Sequence, residues 1–151
     1  MTADAKRSSH RSGSCPFCSI AQGEVDAHVV FEDRHSLAFL DSRPLFPGHS
    51  LLIPREHHAT LADLPAELVG PLFTNAQLLS TAIRDAMEAT GSFVAMNNVV
   101  SQSVPHLHVH VVPRNRKDGL RGFFWPRNTY EGDDHAAQTA AAIREAGAAL
   151  R

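Results

Sequence analysis

His106-Leu107-His108-Val109-His110-Val111-Val112 alternates histidine with apolar residues over one strand length. Side chains of an extended strand point to opposite faces in turn, so the three imidazoles share one face and Leu107, Val109 and Val111 share the other. The apolar face is expected to pack on a core. Successive imidazoles recur every ~6.5–7 Å, because each residue advances ~3.3 Å, a spacing suited to a small anionic group or a metal ion. Histidine is a middling strand former, and three in strict alternation stand apart from an ordinary solvated strand face. Downstream, Pro113-Arg114 ends the strand and adds a positive charge. Upstream, Ser101-Gln102-Ser103-Val104-Pro105 offers hydroxyl and amide donors of the kind that satisfy phosphate oxygens. Asn97, on the preceding predicted strand, is a further neutral donor at cross-strand distance.

Outward from this stretch, Val29-Val30-Phe31 and Leu37-Ala38-Phe39-Leu40 are apolar runs split by Glu32-Asp33-Arg34-His35, which predicts a hairpin. After the turn-rich Pro44-Leu45-Phe46-Pro47-Gly48, the run His49-Ser50-Leu51-Leu52-Ile53-Pro54 predicts a third strand stopped by proline. Between Leu64 and Gly91 the spacing of Leu68, Leu72, Leu79, Ile83 and Met87 predicts an amphipathic helix. Pro65 suits its first turn, Gly91 its stop, and Pro71 a kink or restart. Phe93 to Asn97 and His106 to Val112 supply two more strands, and Asp133 or Asp134 is the expected cap of an alanine-rich helix ending near Leu150. The class is α+β, with about five antiparallel strands, one long central helix and a C-terminal helix. Met1 to Ser14 is polar and aperiodic and is expected to be a disordered tail, with residues 15–151 forming a single domain.

A chain of 151 residues with 43% hydrophobic content suits one domain with a genuine core. A net charge of −2 gives no broad electrostatic footprint for a nucleic acid or an anionic membrane, so neither is an expected partner. No apolar run approaches ~20 residues and the N-terminus lacks a signal-type apolar region, which points to the cytoplasm. The two cysteines, Cys15 and Cys18, are too close in sequence for a stabilising disulfide framework and read as a metal clip or a redox pair.

The His-φ-His-φ-His-φ-φ pattern, with φ apolar, resembles the signature of the histidine-triad (HIT) nucleotide hydrolases and transferases. The likeness extends from about Cys15 to Arg114, through Phe17, Ile20, Phe39-Leu40-Asp41, Gly48-His49-Ser50-Leu51-Leu52-Ile53-Pro54 and Gln102-Ser103-Val104. It implies a HIT-like fold and a two-fold homodimer that joins the sheets. It also implies Hint-like or dinucleoside-polyphosphate-hydrolase-like cleavage at the α-phosphate of a purine nucleoside phosphoramidate or dinucleoside polyphosphate. His108 would be the nucleophile that forms a nucleotidyl-histidine intermediate, with His110 and Ser103 as its catalytic neighbours. Asn97 and Gln102 would hold phosphate oxygens, Asp41 the ribose hydroxyls, and Phe17, Ile20, Phe39 and Leu40 the base; plain core packing is the competing account of those four. An imidazole is nucleophilic only with a free nitrogen, so a hydrogen bond must fix the other. Neither a catalytic metal nor an organic cofactor is implied. Only Asn98-Val99-Val100-Ser101 separates Asn97 from Gln102, shorter than the family's glycine-containing loop, which leaves Asn97 and Asn98 as alternatives.

Cys15-Pro16-Phe17-Cys18 has the spacing of half a tetrahedral Zn2+ site, which two further ligands would have to complete. By resemblance to zinc-containing histidine-triad proteins and to galactose-1-phosphate uridylyltransferases, the other ligands are a histidine after the third strand and the first triad histidine. Here those are His57, with His58 its adjacent competitor, and His106. Such a closed site is structural. Two other classes compete. One is a zinc hydrolase whose His106, His108 and His110 hold a catalytic ion, though three residues on a straight strand reach too far for a compact tetrahedron. The other is a nucleotide-binding module without turnover. The segment Gly119 to Arg127, with Gly122-Phe123-Phe124-Trp125-Pro126, is a candidate to close over substrate or reach a dimer partner.

Overall fold

Alternation along three neighbouring strands sets the two faces of the sheet. The computed structural model describes residues 15–121 and 127–151. Its strands are β1 (Val29–Glu32), β2 (Ser36–Leu40), β3 (Ser50–Pro54), β4 (Gly91–Ala95) and β5 (Val109–Arg114), in one antiparallel sheet of order β1-β2-β3-β5-β4. Ala38 pairs with Leu52 and Leu52 with Val109; Phe39 pairs with Leu51 and Leu51 with His110. Two rows therefore cross the sheet one residue apart and face opposite sides.

The Ala38-Leu52-Val109 row, with Leu107 and Val111, is buried against Leu72, Ala76, Leu79 and Ile83 of helix α2 (Ala66–Ala86). Each such side chain fully removed from water contributes roughly 1.5–3 kcal/mol. The other row, Phe39 and Leu51 with Leu37 and Ile53, forms a second core with Phe17 of the short helix α1 (Pro16–Ala21). His110 belongs to that row, so the sheet presents it on the face opposite α2.

Several boundaries differ from expectation. β5 begins at Val109, so His106 and His108 precede the strand: Leu107 donates its N–H to the His58 carbonyl (2.7 Å) and His106 to Val104 (2.8 Å). β4 is Gly91–Ala95 and stops short of Asn97. There the Asn97 amide bonds the Ser101 carbonyl (3.1 Å) and Asn98 Oδ1 accepts from Leu61 (2.7 Å), which turns the chain out of the sheet. Pro71 lies inside an unbroken α2. That helix is closed by Glu88 at φ 50, with Ala89 N–H on Arg84 O (2.8 Å) and Glu88 N–H on Asp85 O (3.3 Å), a paired ending in which glycine is the usual residue. Gly91 instead opens β4. At Gly48 glycine is required: φ is 96° and a Cβ would come within 2.7 Å of Met87 Cγ, so the turn that feeds His49 into β3 admits no side chain.

The chain divides into two compact units, one ending at Asp118 and one spanning Gly119–Arg151. The second carries α3 (Asp133–Ala149), whose cap position is Gly132. Asp133 and Asp134 sit inside its first turn, where carboxylates favour the helix dipole, and neither is the cap. The expected tail, 1–14, and residues 122–126 of the aromatic segment lie outside the described residues. Among the described residues no helix is long and apolar enough to cross a membrane.

Candidate active site

His108 Nδ1 lies 2.7 Å from the His106 carbonyl oxygen. A carbonyl can only accept, so Nδ1 carries a proton, and in the neutral ring Nε2 is the nitrogen that keeps a lone pair. The ring is buried, with Phe17 and His110 edge-on at centroid distances of 5.2 and 5.0 Å, and it lines a cleft. A neutral imidazole held in one tautomer at a cleft wall is equipped for nucleophilic attack.

A second tautomer follows from a main-chain amide. Leu45 N–H donates to His49 Nδ1 (3.1 Å), so the proton of neutral His49 is on Nε2 and is donated to His110 Nδ1 (2.9 Å). His110 must then carry its own proton on Nε2, as a donor to the cleft. Burial pushes His110 down to about 4, with His108 and His49 adding to the effect and Asp41 opposing it. His49 is likewise lowered by burial, against the pull of Asp41, whose Oδ2 is 3.6 Å from His49 Nε2. His49 had a legible signal: it precedes Leu51 by two residues, hence shares its face.

The cleft has a volume of about 1020 Å³, at the upper end of what small-molecule sites occupy. Of the residues singled out from sequence, Phe17, Ile20, Phe39, Leu40, Asp41, Ser103, His108 and His110 line it. Asp26, His28 and Arg43 line it as well and carried no motif; Arg43 also donates its N–H to Asp41 Oδ1 (2.9 Å). Asn97 and Gln102 are not among the lining residues. The Gln102 side chain is spent on main chain, accepting from Val99 N–H (3.0 Å) and donating to the Ala59 carbonyl (2.6 Å). Val99 and Ser101 adopt φ of 69° and 59°, left-handed values that glycine would take without strain.

Four other predicted residues converge beside the cleft. Cys15 Sγ, Cys18 Sγ, His57 Nδ1 and His106 Nδ1 all lie within 4.8 Å of one another. Cys15 Sγ to His106 Nδ1 is 3.4 Å, Cys18 Sγ to His57 Nδ1 3.3 Å and Cys18 Sγ to His106 Nδ1 3.5 Å. Sulfur and nitrogen ligands on a tetrahedral zinc ion are about 3.5 Å apart, given their usual bond lengths. His106 Nε2–H donates to the Pro54 carbonyl (2.9 Å), which leaves Nδ1 unprotonated and aimed at the sulfurs, as a second hydrogen bond does for metal-binding histidines. Burial pushes His106 down to about 4, against the Pro54 hydrogen bond. Burial, with the hydrogen bond and charge of Cys15, pushes the Cys18 thiol up to about 11, so a thiolate pair here calls for a cation. The donor set fits zinc, and His57, not His58, completes it.

Residues 22–117 match the HIT domain family. Adenylylsulfatase HINT3 of Arabidopsis thaliana is 33% identical over 144 residues, spanning 91% of this chain and 71% of the relative. Adenosine 5'-monophosphoramidase HNT1 of Saccharomyces cerevisiae is 36% identical over 110 residues, spanning 71% and 67% respectively. Among crystal structures, a HIT family member from Bacillus subtilis superposes with a TM-score of 0.81 at 32% identity, covering 87% of this chain and 96% of that one. A Zn-bound histidine triad family protein from Mycobacterium smegmatis gives 0.69 at 34% identity, covering 92% and 99%. With His110 on the sheet face opposite α2 and this match across most of its length, the chain belongs to the HIT domain family.

Proposed function

We propose that this protein is a nucleotide hydrolase or transferase that works at the α-phosphate through a covalent nucleotide on His108. The observation that carries the reading is the tautomer fixed by the His106 carbonyl, which leaves the His108 Nε2 lone pair at the wall of the cleft. Attack by Nε2 forms a nitrogen–phosphorus bond while the bond to the leaving group breaks. The leaving group departs with that electron pair and a proton from solvent. His110 Nε2–H and the Ser103 hydroxyl donate to phosphate oxygens as charge builds there. Water then attacks the same phosphorus, releases its proton to solvent and frees His108 with its lone pair restored; another acceptor in its place gives transfer. Asp41 accepts from ribose hydroxyls, and Phe17, Ile20, Phe39 and Leu40 enclose the base. Asn97 and Gln102 join the phosphate contacts only by exchanging their main-chain partners. The adenylylsulfatase and adenosine monophosphoramidase relatives support an adenylyl group and a sulfate or amine leaving group.

Cys15, Cys18, His57 and His106 would hold a zinc ion that, with all four positions filled by protein, supplies cross-linking and leaves no place for substrate. A catalytic ion shared by the whole triad is disfavoured, because His106 turns Nδ1 to the thiols and His108 commits its Nδ1–H to a carbonyl. No organic cofactor enters. β4 ends the sheet with Val94 exposed, which supports a homodimer joined through β4 edges; sizing by light scattering tests it.

The functional test is rapid mixing with adenosine phosphoramidate radiolabelled at phosphorus, followed by denaturant quench. Label is expected on the wild-type protein and absent from His108→Ala, which loses turnover yet still binds AMP. Unchanged turnover in that variant would remove His108 from the mechanism.

A further inference from the structure

We propose that the Cys15, Cys18, His57 and His106 metal set and the nucleotide cleft are thermodynamically coupled through Phe17, so that each ligand tightens the other. The inference rests on both halves of the functional reading, the zinc site and the nucleotide cleft.

Helix α1 has six residues, far below the ~12–15 at which an isolated helix becomes even marginally stable. Its position must therefore come from tertiary ties. The sequence interleaves two kinds along it. Cys15 and Cys18 point to the ligand set, while Phe17 and Ile20 wall the cleft. Phe17 sits between the two thiols in the chain, and its ring stands edge-on to His106 at 6.0 Å, His108 at 5.2 Å and Phe39 at 5.4 Å. Whatever fixes the two sulfurs also fixes this ring.

The partners of Phe17 need no ion to stay in place. His106 is fully buried with Nε2–H on Pro54, His108 is bonded to the His106 carbonyl, and Phe39 is paired within the sheet. Phe17 already packs in the second core, and what an ion adds is a further tie on α1 at both of its cysteines. Without it the sulfur–nitrogen approaches are weak thiol contacts; with it they become coordinate bonds. A nucleotide meeting a wall already ordered by metal loses less conformational freedom on binding, and a nucleotide that orders the wall itself brings the sulfurs together for the metal. Linkage requires the two effects to be equal in size.

The test is AMP titration calorimetry on full-length protein loaded with Zn2+ and on the same protein stripped with chelator. AMP is expected to bind at least about 5-fold more tightly to the loaded form, the lower end of ordinary coupling. Chelator competition should show Zn2+ held more tightly by the same factor when AMP saturates the cleft. His57→Ala, outside the cleft, should bind AMP like stripped wild type whether or not Zn2+ is added. Phe17→Ala should still take up Zn2+ but bind AMP equally with and without it. Equal AMP affinity for loaded and stripped wild type overturns the coupling alone. A ratio that survives Phe17→Ala overturns Phe17 as its carrier. Failure to take up Zn2+ overturns the coupling together with the zinc reading, and failure of either form to bind AMP overturns it together with the nucleotide reading. A stripped protein that loses its helical circular dichroism altogether also overturns it, because the ion then holds the whole fold.

Discussion

His106 and His110 are the outer members of one triad, and burial drives both down to about 4, yet the two ends of the triad are different chemical places. Both carry the proton on Nε2 and the lone pair on Nδ1. At the His106 end Nε2–H is spent on the Pro54 carbonyl, and the lone pair faces two thiols and His57. At the His110 end the lone pair is spent on His49, and Nε2–H is left for the cleft. His108, between them, has the opposite tautomer. Burial and spacing therefore do not assign the roles; the atom left unspent does. One end has a nitrogen lone pair to spare beside two thiols, the middle one at the cleft wall, and the far end a hydrogen-bond donor.

The largest expected effect separates the ends by turnover. His110→Ala should lower turnover of an adenosine phosphoramidate by about 10²–10⁴-fold, the range of a positioned proton donor, with a small change in urea stability. His106→Ala should show the reverse emphasis. It removes a fully buried ring, leaves the Pro54 carbonyl without its partner and deletes a proposed metal ligand, so a loss of about 3 kcal/mol in urea unfolding is expected, with loss of Zn2+ uptake. If the two variants lose stability equally, the distinction between the ends fails.

Much of this was legible in the chain. The alternation at 106–112 anticipates Leu107, Val109 and Val111 against α2 and His110 on the far face of the sheet, although the strand itself begins only at Val109. The hairpin, the third strand and the convergence of Cys15, Cys18, His57 and His106 also followed from spacing and resemblance. What escaped depends on main-chain partners that only the folded chain supplies. Gln102 looks like a phosphate donor until Val99 N–H and the Ala59 carbonyl claim its amide. Asn97 and Asn98 end β4 early for the same reason. Glutamate at φ 50 closes α2 where a sequence reader waits for Gly91. The role of His49 requires Leu45 N–H, four residues away across a turn, to dictate its tautomer.

Acid gives a gentler separation. His110 is neutral in the fold down to about 4, whereas an unfolded histidine protonates near 6.5. Between those values the unfolded chain binds the extra proton, so the stability tied to His110 is intact above about 6.5 and is lost progressively as pH falls towards 4. The groups facing it are His108, His49 and Asp41; the carboxylate opposes the loss and the two imidazoles add to it. Urea unfolding at stepped pH should give wild type a steeper fall across this window than His110→Asn. Parallel curves would mean that His110 does not stay neutral in the fold.

The smallest effect comes from a site at neither end, and it decides whether the other three differences are local. Asn75, buried on α2, donates to Asp33 Oδ2 (2.8 Å) and Ser36 Oγ (2.6 Å), clasping the helix to the β1–β2 turn. Burial alone would raise the Asp33 carboxyl, but the hydrogen bonds from Asn75, Ser36 and His35 outweigh it and hold the group below its usual value. That stabilisation is present above the ordinary carboxylate range and is lost as pH falls through it, a lower window than that of His110. Asn75→Ala should cost about 1–2 kcal/mol at neutral pH, measured by urea unfolding, and the deficit should shrink below about pH 4. Turnover should stay within about twofold of wild type, since the clasp shares no partner with the triad. A large loss of turnover in Asn75→Ala would show that activity follows global stability, and the contrast between His106 and His110 would then say nothing about their separate chemistry.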